Sequence, residues 1–290
     1  MHRDRSGKCY HDSHEKGLQG QILGALYGTM PGRILLRPLV SPFFSKLGGY
    51  LLSTRLSSFA VGPFVKANHI DLTGCEKQSF DSYNDFFTRK LRLDMRPVDL
   101  SPDAWVSPCD ARLTVYPITM RGQFSIKHTQ YTVESLLKNK KLAERYLGGT
   151  LWLYRLCVDD YHRYIYPVDA EKSCNVTIPG IFHTVNPIAN DHYPIYKENT
   201  REYCLLRTES AGTVLMMEVG AMLVGKIENH PSDRYVKRGQ EKGNFAFGGS
   251  TIVVMTQRDR VIPEKQFVEN TKEGLETKVR LGEKVGRIRS

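Results

Sequence analysis

The 290-residue chain is long enough for one large domain or two modest ones, with a substantial buried core. Apolar residues make up 40% and charged residues 25%, ordinary values that exclude disordered, collagenous and many-helix membrane chains. The formal net charge of +10 is regional: residues 1–70 carry nine basic and three acidic side chains, whereas residues 71–249 are nearly balanced.

The N-terminal MHRDRSGKCYHDSHEKG lacks the apolar centre of a signal peptide, so secretion is not expected and the sequon at Asn175-Val176-Thr177 should be inert. Residues 18–68 are apolar but interrupted by Arg33, Arg37, Lys46 and Arg55, which is too much charge for a spanning helix. Ile22, Leu23, Leu26 and Tyr27, then Ile34, Leu35 and Leu39 beyond Pro31-Gly32, repeat at helical spacing and predict two or three short amphipathic helices. Their basic edges suit an anionic bilayer, where each Lys or Arg contributes about 1 kcal/mol. The other reading of the same pattern is a helical cap packed on a core.

Asp81 or Ser82 can cap a helix over residues 80–93, closed by Arg96-Pro97. From Ala104 onward, short β-branched and aromatic runs separated by Gly, Pro, Asn and Asp predict a β-rich body. Helical pattern is confined there to Thr132–Arg145, with Tyr131-Thr132 as its cap. The expected class is α+β, with N-terminal amphipathic helices (1–79, membrane-associating) packed on a β-rich domain (80–290).

Six thinly spread cysteines form no CxxC pair, so neither a zinc knuckle nor a disulfide framework is expected; the pattern fits a reducing compartment. No P-loop, Rossmann glycine pattern, HExxH or GxSxG is present. Three segments remain. Gly248-Gly249-Ser250-Thr251 precedes the strand-like Ile252-Val253-Val254-Met255 and can be a plain turn. Its two glycines equally allow a strained peptide on which the Ser250 hydroxyl could be forced. Asp159-Asp160-Tyr161-His162-Arg163 holds a histidine, the side chain best placed to move protons near neutral pH. Ser107-Pro108-Cys109-Asp110 is a turn before a strand, where Asp commonly acts as a local cap.

Taken together these segments carry a resemblance. Tyr83-Asn84-Asp85-Phe86-Phe87-Thr88-Arg89-Lys90-Leu91 followed by Arg96-Pro97, then Ser107-Pro108-Cys109-Asp110, Asp160-Tyr161-His162-Arg163, Val219-Gly220-Ala221-Met222-Leu223-Val224-Gly225 and Gly248-Gly249-Ser250-Thr251 resemble the phosphatidylserine decarboxylase family in motif and order. The resemblance spans roughly residues 80 to 285 and implies a proenzyme that cuts itself between Gly249 and Ser250. A β chain (1–249) and an α chain (250–290) would then stay together as a heterodimer, the latter starting with a pyruvoyl group made from Ser250. No external cofactor or metal would be needed.

The implied substrate is phosphatidylserine, converted to phosphatidylethanolamine and CO₂ by a peripheral protein on the cytoplasmic face of the cell membrane. The resemblance further implies an Asp and a His that activate the serine, and Asp110 matches the Asp. Many relatives read Tyr-His-Arg-x-His, whereas this chain keeps the first histidine as His162 and has Ile165 at the second. Two assignments follow: His162 serves both self-cleavage and later proton donation, or His183 in Phe182-His183-Thr184-Val185-Asn186 supplies the missing imidazole. Lys127 and Arg201 lie in family-like segments, where they read as solvated charge or as partners of phosphate or carboxylate. An unprocessed, lipid-binding homologue is the alternative function. Nucleic acid is not an expected partner, because the basic excess sits among apolar helices instead of in a basic stripe.

Overall fold

The computed structural model describes residues 2–10, 24–126, 129–184, 189, 193–221, 227–246 and 250–289. Its centre follows from the most apolar runs. Thr150–Leu156, Thr213–Val219 and Ser250–Thr256 are each seven residues long and almost wholly buried. Runs with apolar residues on both alternating sets of positions need cover on both faces of a sheet, and these strands have it.

They lie side by side in an eleven-stranded sheet whose order is Tyr235–Val236, Ala170–Lys172, Arg201–Arg207, Thr213–Val219, Ser250–Thr256, Thr150–Leu156, Ala111–Pro117, Glu276–Val279, His2–Arg3 and Cys9–Tyr10, with Val176–Ile178 also on Arg201–Arg207. Neighbours are antiparallel except for His2–Arg3 beside Glu276–Val279, which is parallel. One face carries Leu153, Leu215, Met217, Val253 and Met255 beneath the short helices and the N-terminal segment. The other carries Tyr154, Leu156, Met216, Ile252 and Val254 beneath two three-stranded sheets and Phe267 of the Lys265–Lys272 helix.

The expected α+β architecture is present, with differences of local cause. The N-terminal break falls at Thr29, whose side chain caps Met30–Leu39, and Pro31 sits inside the first turn, where its missing N–H costs nothing. Gly32 has no alternative there, since a Cβ would come within 2.1 Å of the Ala25 carbonyl oxygen. Tyr27, Leu36 and Val40 dock on the first sheet face, and Pro42–Leu52 and Val61–Ala67 follow. No helix among the described residues is long and apolar enough to cross a membrane.

The helix expected over 80–93 is only Tyr83–Phe87, capped by Ser82, because the chain then turns to bury Arg89. Thr132 does cap a helix, but that helix stops at Leu137, where Lys138 takes a φ of 53°; Asn139 then caps Lys140–Ala143. Residues 2–10 belong to the sheet instead of the helical segment. Arg3 donates to Asn270 Oδ1 at 2.7 Å and Arg5 pairs with Glu264 at 2.8 Å, so this hairpin is fastened to the C-terminal 41 residues.

Candidate functional site

Ser250 is the first residue of a central strand and is 2% exposed. It stands opposite Leu156, so its side chain shares the second face with Ile252 and Val254. Gly248 and Gly249 lie outside the described residues, as do Lys127 and Met222–Gly225.

Beyond Leu156 the chain turns sharply: the Asp160 N–H donates to the Cys157 carbonyl at 2.9 Å, and the Cys157 N–H donates to Asp160 Oδ2 at 2.7 Å. The turn delivers His162, whose own carbonyl accepts from the Phe245 N–H at 3.0 Å. His162 thus sits where the strand Glu241–Phe245, leading towards Ser250, meets the strand Arg163–Ile165. Tyr164 and Phe245 of this small sheet pack into the core on the same face as Ser250.

The His162 ring is fully buried, with its centroid 3.9 Å from that of Phe87. Nδ1–H donates to the Asp160 carbonyl at 2.9 Å; a carbonyl can only accept, which fixes the tautomer and leaves Nε2 with a lone pair. That nitrogen is buried and has no hydrogen-bond partner. Burial, reinforced by the Arg89 guanidinium, pushes the imidazole down to about 3, so it is a neutral acceptor at physiological pH.

Around it lies a buried ionic shell. Arg89 reaches the carbonyls of Asp159 and Asp160 at 3.5 and 3.4 Å. Asp160 pairs with Arg112 at 3.2 Å, and burial holds its carboxyl up to about 6 against that guanidinium. Asp110 accepts from Arg96 Nε at 2.8 Å and from the Leu281 N–H at 2.8 Å. No hydrogen bond joins Asp110 to His162; the imidazole is oriented by a main-chain carbonyl. Ile165 packs with Tyr161 and Leu281, against the loop that holds Asp110.

His183 lies elsewhere. Its Nδ1 is 3.2 Å from the Tyr27 hydroxyl, its ring stacks on Tyr193 at 4.6 Å, and Tyr27 and Tyr193 pack on the first face of the sheet. Asn199 bridges its carbonyl to that of Gly220, both at 2.8 Å. Burial pushes this ring down to about 4. Arg201 is not surface charge: fully buried, it donates to the carbonyls of Leu136, Asn199 and Ser135, and burial lowers it to about 10.

Two histidines buried neutral make acid stability predictable in sign. Unfolded imidazoles take up protons from about 6.5 downward, and the folded ones resist until about 3 and 4, so stability falls as pH drops through that window. Asp160 opposes this, since its raised carboxyl gives stability that is lost as pH rises towards 6. The histidines should dominate: by pH 4.5 His162 alone removes about 2–3 kcal/mol, roughly 5–10 °C in Tm. Thermal melts by circular dichroism should show this fall, and His162→Gln should flatten it.

The chain matches the family model described as "Phosphatidylserine decarboxylase" over residues 83–287. It is 40% identical over 274 residues to "Phosphatidylserine decarboxylase proenzyme 2" of Clostridium acetobutylicum, covering 94% of each chain. It is 39% identical over 279 residues to the "Phosphatidylserine decarboxylase proenzyme" of Clostridium novyi, again covering 94% of each. With that of Fusobacterium nucleatum it shares 34% over 278 residues, 94% of this chain and 93% of the relative. Nearly full-length likeness, joined to a buried serine at the head of a central strand, places this chain in the phosphatidylserine decarboxylase family.

Proposed function

We propose that this chain is a self-processing proenzyme that breaks between Gly249 and Ser250 and then converts phosphatidylserine to phosphatidylethanolamine and CO₂. The observation that carries the residue assignments is the buried, partnerless Nε2 of His162, whose carbonyl is bonded to Phe245 on the strand that leads towards Ser250. A neutral imidazole whose Nδ1–H is already engaged can do one thing at Nε2, namely accept a proton. His162 is therefore the base that takes the Ser250 hydroxyl proton when that oxygen attacks the Gly249 carbonyl. The Asp160 carbonyl orients the ring. Asp110 is a positioning residue that fixes Arg96 and the loop at Leu281. His183, engaged with Tyr27 and Tyr193, is the second candidate for base.

The pyruvoyl group would fit here, since residue 250 is buried at the head of a central strand, where a ketone is shielded from water. When present, it supplies a ketone that condenses with the substrate amine and takes up the electron pair released with CO₂. His162 Nε2, neutral at rest, would take up a proton during turnover and return it to the substrate α-carbon, and Phe87 packs against its ring.

The body over 80–290 carries this chemistry, and the helices before it carry the membrane contact. Met30, Ile34, Phe43, Tyr50, Leu56 and Phe59 are exposed, the last two at 79% and 81%. Arg33, Arg37, Arg55 and Lys66 lie between them, the composition of an interfacial surface for anionic lipid. Peripheral attachment on the cytoplasmic face of the cell membrane agrees with six free thiols. CO₂ release from phosphatidylserine vesicles tests the function and the surface together. Leu56→Asp/Phe59→Asp removes about 1.5–3 kcal/mol of burial per side chain, a loss in vesicle affinity on the order of 10²-fold or more. The variant should keep wild-type turnover on detergent-dispersed short-chain substrate; equal vesicle binding would exclude these helices as the docking face.

A further inference from the structure

The mechanism above leaves a buried ion pair unused. Glu218 and Lys242 are both 0% exposed, and Lys242 Nζ lies 2.9 Å from Glu218 Oε2. Lys242 also donates to Asn229 Oδ1 at 2.5 Å, and Asn229 Nδ2 donates to Glu202 Oε1 at 2.5 Å. Glu202 and Glu218 stand directly opposite each other on adjacent strands, an arrangement that repels unless a cation lies nearby. Asn229 thus links Lys242 to both Glu202 and Glu218. Glu218 Oε1 is buried with no hydrogen-bond partner, a costly state for a carboxylate oxygen.

The register places Glu218 beside the reaction centre. Glu218 stands opposite Ile252, and Val219 opposite Thr251. Ser250 is therefore Glu218's diagonal neighbour on the same sheet face, within reach of a glutamate side chain. We infer that Glu218 receives the substrate's ammonium group at residue 250 through Oε1, the carboxylate oxygen that has no hydrogen-bond partner. The inference rests on the decarboxylase reading above and deepens it. Lys242 and Asn229 hold Oε2, which keeps the carboxylate in place and turns Oε1 to the incoming amine. On condensation the protons that the amine sheds end on the ketone oxygen, which leaves as water, so Glu218 acts in capture and alignment.

The test compares a cationic and a neutral carbonyl reagent on the processed enzyme. Dioctanoyl phosphatidylethanolamine condenses through its amine with loss of one water, and cyanoborohydride supplies the hydride that makes the link permanent; intact mass of the 250–290 fragment reads the adduct. Phenylhydrazine, neutral at pH 7, reports the ketone itself. Glu218→Gln should still self-cleave and should react with phenylhydrazine as wild type does, yet capture the lipid amine about tenfold or more weakly, the scale of losing a hydrogen bond to a charged group. Glu218→Leu/Lys242→Met removes both charges without stranding either and should behave in the same way. Wild-type capture of the lipid amine by both variants, or equal loss of both reagents, would overturn the inference, as would failure of both variants to cleave. A wild-type chain inert to phenylhydrazine would instead remove the decarboxylase reading, and this inference with it.

Discussion

Ser250→Ala is expected to yield a single 33.1 kDa chain with no decarboxylase activity, where the parent separates on a denaturing gel into fragments 1–249 and 250–290. The substitution removes one oxygen from a side chain that is 2% exposed and leaves the strand pairing with Leu156 to the backbone. The variant should therefore fold and be stable, so loss of cleavage reports chemistry. Intact mass reads the break, and phenylhydrazine reads the carbonyl. Cleavage that persists would assign the attacking hydroxyl to another residue. The nearest alternative is Thr251, whose buried Oγ1 has no hydrogen-bond partner.

The second large effect separates the two histidines. His162→Ala should slow self-cleavage by about 10²–10⁴-fold, the range for a positioned general base. The cavity it leaves against Phe87 should admit free imidazole and restore part of the rate. His183→Ala should process at close to the parental rate but melt earlier, because it removes a ring from between Tyr27 and Tyr193. Pulse-chase cleavage read beside thermal melts distinguishes these outcomes. A block in the His183 variant with normal processing in the His162 variant would reverse the assignment.

The sequence made the class of fold legible because its strands are short β-branched and aromatic runs and its turns are marked by Gly, Pro and Asn. It made the reaction legible because five short motifs occur in family order, although each alone is an ordinary turn or strand. The lengths of helices were less visible. Residues 80–93 keep helical periodicity, yet the burial of Arg89 ends the helix at Phe87, a tertiary demand with no local trace. The burial of Asp160 is matched by Arg112, 48 positions away, and has no local trace either. Glu218 did leave a signal, as a lone acid within Leu215-Met216-Met217-Glu218-Val219, where an unmatched charge implies a distant partner. Lys242 could not be named as that partner from its polar surroundings. The sheet hairpin at residues 2–10 was equally hidden, since its partners lie more than 250 positions along the chain.

Scission also changes what unfolding means. The strand beginning at Ser250 lies between two strands of the other fragment, and the N-terminal hairpin grips the shorter fragment's far edge. While the backbone is whole, a denatured molecule can refold alone, at any dilution. Once cut, it can regain its shape only by meeting a second molecule, and its original serine is gone for good. Maturation therefore converts a reversible equilibrium into a one-way lifetime set by how fast the woven sheet opens.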